Sequence, residues 1–306
     1  MNELIAAARP SSMTLPLPEG RRNFKELFVS MAMPDDWGTT DDRTIPGPSG
    51  PIPVRVFRAA EPGPQPRPLV AYFHGGGWVF GDLDSYDSMC RTLARASGSI
   101  VVCVDYRLAP EHPFPAGFED CFAVTRWLSS NGEELGGDPS RLAVAGDSAG
   151  GNLAAATALR ARDEGNPALG FELLMYPALD PRMGSASYEE NAEDPFLSRN
   201  EMEWCWPRYL GFAAGEPEPY AAPALASDLS GLAPALVIVA GHDPLRDEAL
   251  TYAERLRAAG VPVELKFYES MVHGFLSFTR GLDGARRALE DAGQVLGRSL
   301  ASAAGS

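Results

Sequence analysis

The chain is short of the residues that most often carry metal or redox chemistry. Only 4 histidines and 4 cysteines occur among its 306 residues. No pair of cysteines has C-x-x-C spacing and no H-E-x-x-H occurs, so neither a metal site nor a dithiol centre is expected. Cys90, Cys103, Cys121 and Cys205 read as reduced packing residues of a cytoplasmic protein, three of them inside predicted helices or strands. Positive charge is scarce as well: 26 Lys and Arg against 41 Asp and Glu leave a net charge of −15. Such a surface repels phosphate backbones and anionic lipid, which argues against a nucleic-acid partner. Long apolar runs are also lacking. None approaches the roughly 18 residues of a membrane span, and the opening MNELIAAARPSSM has neither the basic nor the apolar region of a secretion signal. What remains is ordinary globular material, long enough for one large domain or one domain with an insertion.

Most of that material alternates between two patterns. Short apolar runs at Leu69–Phe73, Ser99–Tyr106, Leu142–Ala145, Leu173–Tyr176 and Ala235–Ala240 predict buried strands. Between and after them, helical patterns cover Asp87–Ala96, Phe118–Leu128, Asn152–Arg160, Arg246–Ala259 and Asp283–Leu300. Val263–Tyr268 alternates as a strand near a sheet edge would. Strands alternating with helices predict an α/β fold, a mostly parallel sheet covered on both faces. Two regions depart from the rhythm. Before about residue 45 the chain looks helical in pieces, with Phe24, Leu27, Phe28 and Met31 on one helical face; extended segments at Thr44–Pro48 and Pro51–Phe57 follow. Nearly sixty residues then separate the Tyr176 and Ala235 strands, with a bulky apolar helix expected over Arg199–Leu210.

The chemistry gathers around RLAVAGDSAGGN (141–152), a strand pattern, then Gly146-Asp147-Ser148-Ala149-Gly150 as G-x-S-x-G, then a helix pattern. That context lets a serine stand on a sharp turn with small neighbours, its hydroxyl clear of the sheet and free helix N–H groups beside it. After the Leu69 strand comes His74-Gly75-Gly76-Gly77, where consecutive glycines let backbone N–H groups converge on one point. With Ala149 N–H they would form an oxyanion hole. A serine hydrolase also needs a base and a group to orient it. His74 lies in the glycine loop, His112 is hemmed by prolines, and His242 directly precedes an acid. His273 alone follows a plausible acid at the end of the preceding strand, in the order Ser, acid, His. Asp243, just past the Ala240 strand, is that acid; Asp247 and Glu248 are rivals that fall inside the next helix. The Asp105–Glu111 stretch reads as a structural brace of paired charges.

Taken together, HGGGW, DYRLAPEHPFPA, GDSAGG, LMYP, DPLRDE and HGF, in this order, resemble the hormone-sensitive-lipase-like family of bacterial esterases (family IV), in its GDSAG branch. The resemblance spans about His74 to Phe275. It implies the α/β-hydrolase fold, a helical cap, and Ser148 as nucleophile with His273 as base and Asp243 as its partner. It implies Gly75, Gly76 and Ala149 as oxyanion donors, with the choice of two among Gly75, Gly76 and Gly77 left open. The expected division is cap helices over 1–45, the hydrolase domain over 46–178 and 226–306, and a cap insertion over 179–225. Phe28, Trp78, Phe196, Trp204 and Trp206 are expected to line the substrate pocket. The implied activity is hydrolysis of short- to medium-chain acyl esters of small molecules, with no cofactor, in a family that tends to form homodimers. An amidase, carbamate hydrolase or lactonase would use the same residues. A non-catalytic small-molecule receptor of the same fold is a further alternative, which the presence of all three triad residues disfavours.

Overall fold

Strands β3 (Arg67–Phe73), β4 (Ile100–Val104) and β6 (Phe171–Met175) are buried at every position, because helices cover both faces of the sheet they form. The computed structural model describes residues 12–34, 37–60, 65–212 and 215–302. Helical pieces expected before residue 12 and the start of the loop expected over 61–67 lie outside these residues. The sheet has eight strands in the order β1-β2-β4-β3-β5-β6-β7-β8. The others are β1 (Thr39–Gly47), β2 (Gly50–Arg58), β5 (Gly137–Asp147), β7 (Ala235–His242) and β8 (Val263–Val272). Only β2 runs against the rest, pairing antiparallel with β1 and β4. β8 closes one edge, as its alternating pattern predicts.

The helices are α1 (Leu17–Met31), α2 (Asp87–Ser97), α3 (Ala116–Asn131), α4 (Ala149–Glu164), α5 (Ala186–Glu190), α6 (Arg199–Tyr209), α7 (Arg246–Ala258) and α8 (Asp283–Ser302). Alternate residues of each strand feed two cores. Leu142 and Val144 of β5 pack with side chains of α3, α4 and α7, whereas Ala143 and Ala145 pack with those of α2 and α8. The strand period of two thus separates the layers. β1 begins at Thr39, ahead of the 45/46 boundary read from the sequence, so those residues belong to the sheet. Helix α4 begins at Ala149, three residues before the expected Asn152. Gly150 and Gly151 are poor helix formers, and tertiary contact overrides that propensity here. Ser198 caps α6, accepting from Glu201 N–H while the Glu201 carboxylate accepts from Ser198 N–H.

Candidate active site

Ser148 sits between the end of β5 and the start of α4 with φ 54° and ψ −118°, a conformation an L residue adopts only under constraint. Its neighbours supply that constraint. A Cβ on Gly146 would lie 2.2 Å from Gly150 O, and one on Gly150 would lie 1.9 Å from Phe73 O. Only glycines allow strand, turn and helix to approach so closely. The turn leaves Ser148 partly exposed while Asp147 and Ala149 on either side are buried.

His273 follows β8, and its backbone N–H donates to His242 O across 3.2 Å. That fastens it beside the end of β7, where Asp243 begins the next loop. The ring lies between the other two groups: Nε2 is 3.0 Å from Ser148 Oγ and Nδ1 is 2.8 Å from Asp243 Oδ2. Asp243 is fully buried, and its Oδ1 accepts from Leu245 N–H at 2.8 Å. The Tyr176 ring meets the imidazole edge-on at 4.9 Å between centroids, which limits rotation. Burial alone would lower the His273 pKa, but the Asp243 charge and hydrogen bond outweigh it and hold the pKa above 6.5. The rival acids are occupied elsewhere. Asp247 accepts from Ser187 N–H and Arg246 Nε, and Glu248 accepts from Leu179 N–H at 2.6 Å.

The glycine loop faces the same turn. Gly76 and Gly77, with φ of 105° and 59°, are partly exposed. Gly75 is buried and its N–H donates to Asp147 Oδ1 at 2.9 Å. This corrects the expectation for Gly75: a carboxylate holds its N–H, so it is not a free donor toward Ser148. The two remaining loop glycines, with Ala149 at the first turn of α4, are the candidate donors. Among the described residues no group of three or more His, Cys, Asp or Glu could hold a metal ion, and no helix is long and apolar enough to cross a membrane.

Both irregular regions of the sequence pack onto this loop. From α1, Phe24 stacks on Phe80 and Phe28 meets Tyr86, while Arg21 Nε donates to Val79 O. From α6, Trp204 stacks on Phe80, and Cys205 Sγ would lie 2.4 Å from a Cβ on Gly77. Trp78 and Trp206, expected to line a pocket, are each 2% exposed and packed against one another and Tyr209. They carry α6 on the back of the loop. Phe28, Phe196 and Trp204 keep partly exposed surface. Sequence reading passed over Asn152, whose Nδ2 donates to Ala178 O and Ala221 O, tying both ends of the insertion to α4. Asp147 it read only as the mark of the GDSAG motif, with no partner in the site.

The sequence profile of the α/β-hydrolase fold matches residues 70–277, and the chain belongs to that family. Its relatives bear out the resemblance to hormone-sensitive-lipase-like esterases. The chain is 47% identical over 256 residues to the carboxylesterase NlhH of Mycobacterium tuberculosis, covering 78% of this chain and 79% of that protein. It is 36% identical over 288 residues to an ethyl acetate hydrolase of Pseudomonas putida, covering 90% and 89%. Among solved structures, a thermostable esterase from Pseudomonas putida superposes with a TM-score of 0.91 at 36% identity, covering 98% of this chain and 94% of that one.

Proposed function

We propose that this protein is a serine carboxylesterase that cleaves short- to medium-chain acyl esters. The observation that carries the reading is the hydrogen-bonded line Ser148–His273–Asp243, at 3.0 and 2.8 Å. Ser148 Oγ attacks the acyl carbon while His273 Nε2 takes its proton, and Asp243 orients the ring and stabilises the imidazolium. The tetrahedral oxyanion is held by N–H groups of Gly76, Gly77 and Ala149. The imidazolium then protonates the leaving alcohol, and a water deprotonated by the same ring hydrolyses the acyl-enzyme. Phe28, Phe196 and Trp204 offer apolar surface to the ester, with α1 and residues 179–225 forming the cap above it. The names of the relatives, an ethyl acetate hydrolase among them, support ester hydrolysis as the reaction.

The test is hydrolysis of p-nitrophenyl esters of rising acyl length, by the native protein and by Ser148→Ala. Turnover that falls beyond medium chains and drops by about 10⁴-fold or more in the variant is expected. Activity unchanged in Ser148→Ala overturns the reading. Equal turnover of an aryl acetamide and its matching ester would replace esterase by amidase.

A further inference from the structure

The serine's other neighbour carries an arrangement that the reaction so far leaves unused. Asp147 is 3% exposed, and among the described residues no lysine or arginine is paired with it. Three neutral donors hold it: Tyr72 OH to Oδ1 at 2.7 Å, Gly75 N–H to Oδ1 at 2.9 Å, and Tyr86 OH to Oδ2 at 3.3 Å. Burying a carboxylate among neutral groups is unfavourable, and a tight strand-to-helix turn does not require one. Resting on the esterase reading above, we infer that Asp147 is a positioning residue that seats the oxyanion loop against Ser148 through Gly75 N–H.

Chain connectivity gives the reason. Asp147 is bonded to Ser148 on one side of the link and Gly75 to Gly76 on the other, so one hydrogen bond spans the shortest path between nucleophile and loop donors. The loop rests directly on the carboxylate. A Cβ on Gly75 would fall 2.5 Å from Asp147 Oδ2 and 2.9 Å from Tyr86 OH. The first glycine of the loop is therefore required by contact with Asp147, whereas Gly76 and Gly77 are required by their positive φ. Oxyanion donors act only when held within about 2.7–3.1 Å of the developing charge, and a loop of glycines has no side chains to fix that distance itself. The titratable groups facing Asp147 include Tyr72 from β3, Tyr86 ahead of α2, Cys90 of α2, Tyr106 after β4, Tyr176 after β6 and His273 after β8. Burial pushes the Asp147 carboxyl up to about 6, with the hydrogen bonds from Tyr72, Gly75 and Tyr86 opposing the rise, so at neutral pH the acceptor is mostly anionic.

The test compares Asp147→Ala and Asp147→Asn with the native enzyme, reading kcat, KM and affinity for an aryl trifluoromethyl ketone. That inhibitor forms a tetrahedral hemiketal with the serine and loads the oxyanion hole. Asp147→Ala is expected to lower kcat by about 10–100-fold with KM within about twofold, and to weaken the inhibitor by a matching factor. Asp147→Asn keeps an acceptor for Gly75 N–H and is expected to recover most of both. If Asp147→Ala does not fold, Asp147→Ser, polar but too short to reach Gly75 N–H, is read by the same criteria. Unchanged kcat, or a fall in kcat with inhibitor affinity intact, overturns the inference. Ser148→Ala separates the two failures: inactivity there with full activity in Asp147→Ala refutes only the positioning role, and activity there refutes the esterase reading itself.

Discussion

Of the four histidines, three are held where they cannot take a proton from Ser148. His74 is buried between the Tyr86 and Tyr106 rings, and burial pushes its pKa down to about 4. His112 and His242 face solvent. His273 alone has the serine on one nitrogen and a buried carboxylate on the other. The base must be neutral to act, and its pKa is held above 6.5, so activity is lost as pH falls through that raised value. A kcat/KM profile on p-nitrophenyl butyrate should therefore have an acid limb above pH 6.5. Asp243→Asn removes the main raising interaction, so it should move that limb to lower pH and reduce kcat by about 10⁴-fold. His242→Asn should leave both unchanged. An acid limb that stays in place in Asp243→Asn would mean another group sets it.

The elements meet the site through paired charges as well as packing. Arg107, just past β4, donates from Nε, Nη2 and its backbone N–H to Asp120 of α3, and from Nη1 to Ser49 Oγ between β1 and β2. Four residues on, Glu111 pairs with Arg21 of α1 at 2.7 Å. The brace expected from the Asp105–Glu111 stretch thus joins the sheet to α3 and to α1. Arg107→Ala would remove the guanidinium paired with a carboxylate that has only 3% of its side chain exposed. Stranding such a group costs about 1–3 kcal/mol or more, at about 2–4 °C of Tm for each kcal/mol. Thermal unfolding should start earlier while kcat of the folded enzyme stays within about twofold; lost kcat with Tm intact would make Arg107 part of the site. At this scale the sequence was legible in its strands, since every buried run became one. Their ends were less so. β5 starts at Gly137, five residues before its apolar run, because pairing with β3 continues past it through Pro68 and Arg67. The five-residue α5 has too few turns for a period to be read.

The whole molecule carries one cost of its two-sided sheet. Glu172 is the second residue of β6, fully buried on the face shared with α4 and α7, and neither of its oxygens has a hydrogen-bond partner. Burial pushes its pKa up to about 8 from an ordinary 4.5. Between those values the unfolded chain gives up a proton that the folded chain retains, so this group makes stability fall as pH rises through the window. Glu172→Gln cannot ionise, so its Tm relative to the native protein should increase from pH 5 to pH 9, at about 2–4 °C per kcal/mol. Scanning fluorimetry across that range is the check. A Tm difference independent of pH would place Glu172 in contact with water or a cation.

The sequence by itself determined the α/β alternation, the eventual edge strand, and the serine, acid and histidine in their order. Each of these is written in periodicity or in turn chemistry between near neighbours, and local backbone preferences follow from neighbours. The tertiary structure alone revealed that the Gly75 N–H is engaged, because the group that claims it lies 72 residues further along the chain. It gave the choice of Asp243 over Asp247 and Glu248, made in the sequence from strand and helix position, a contact: all three stand within six residues but only Asp243 meets His273. It also turned Trp78 and Trp206 inward, against Tyr209, where composition suggested a pocket wall. A residue type states which bonds it can make, but the partner is settled only when distant segments compete for it inside a packed core.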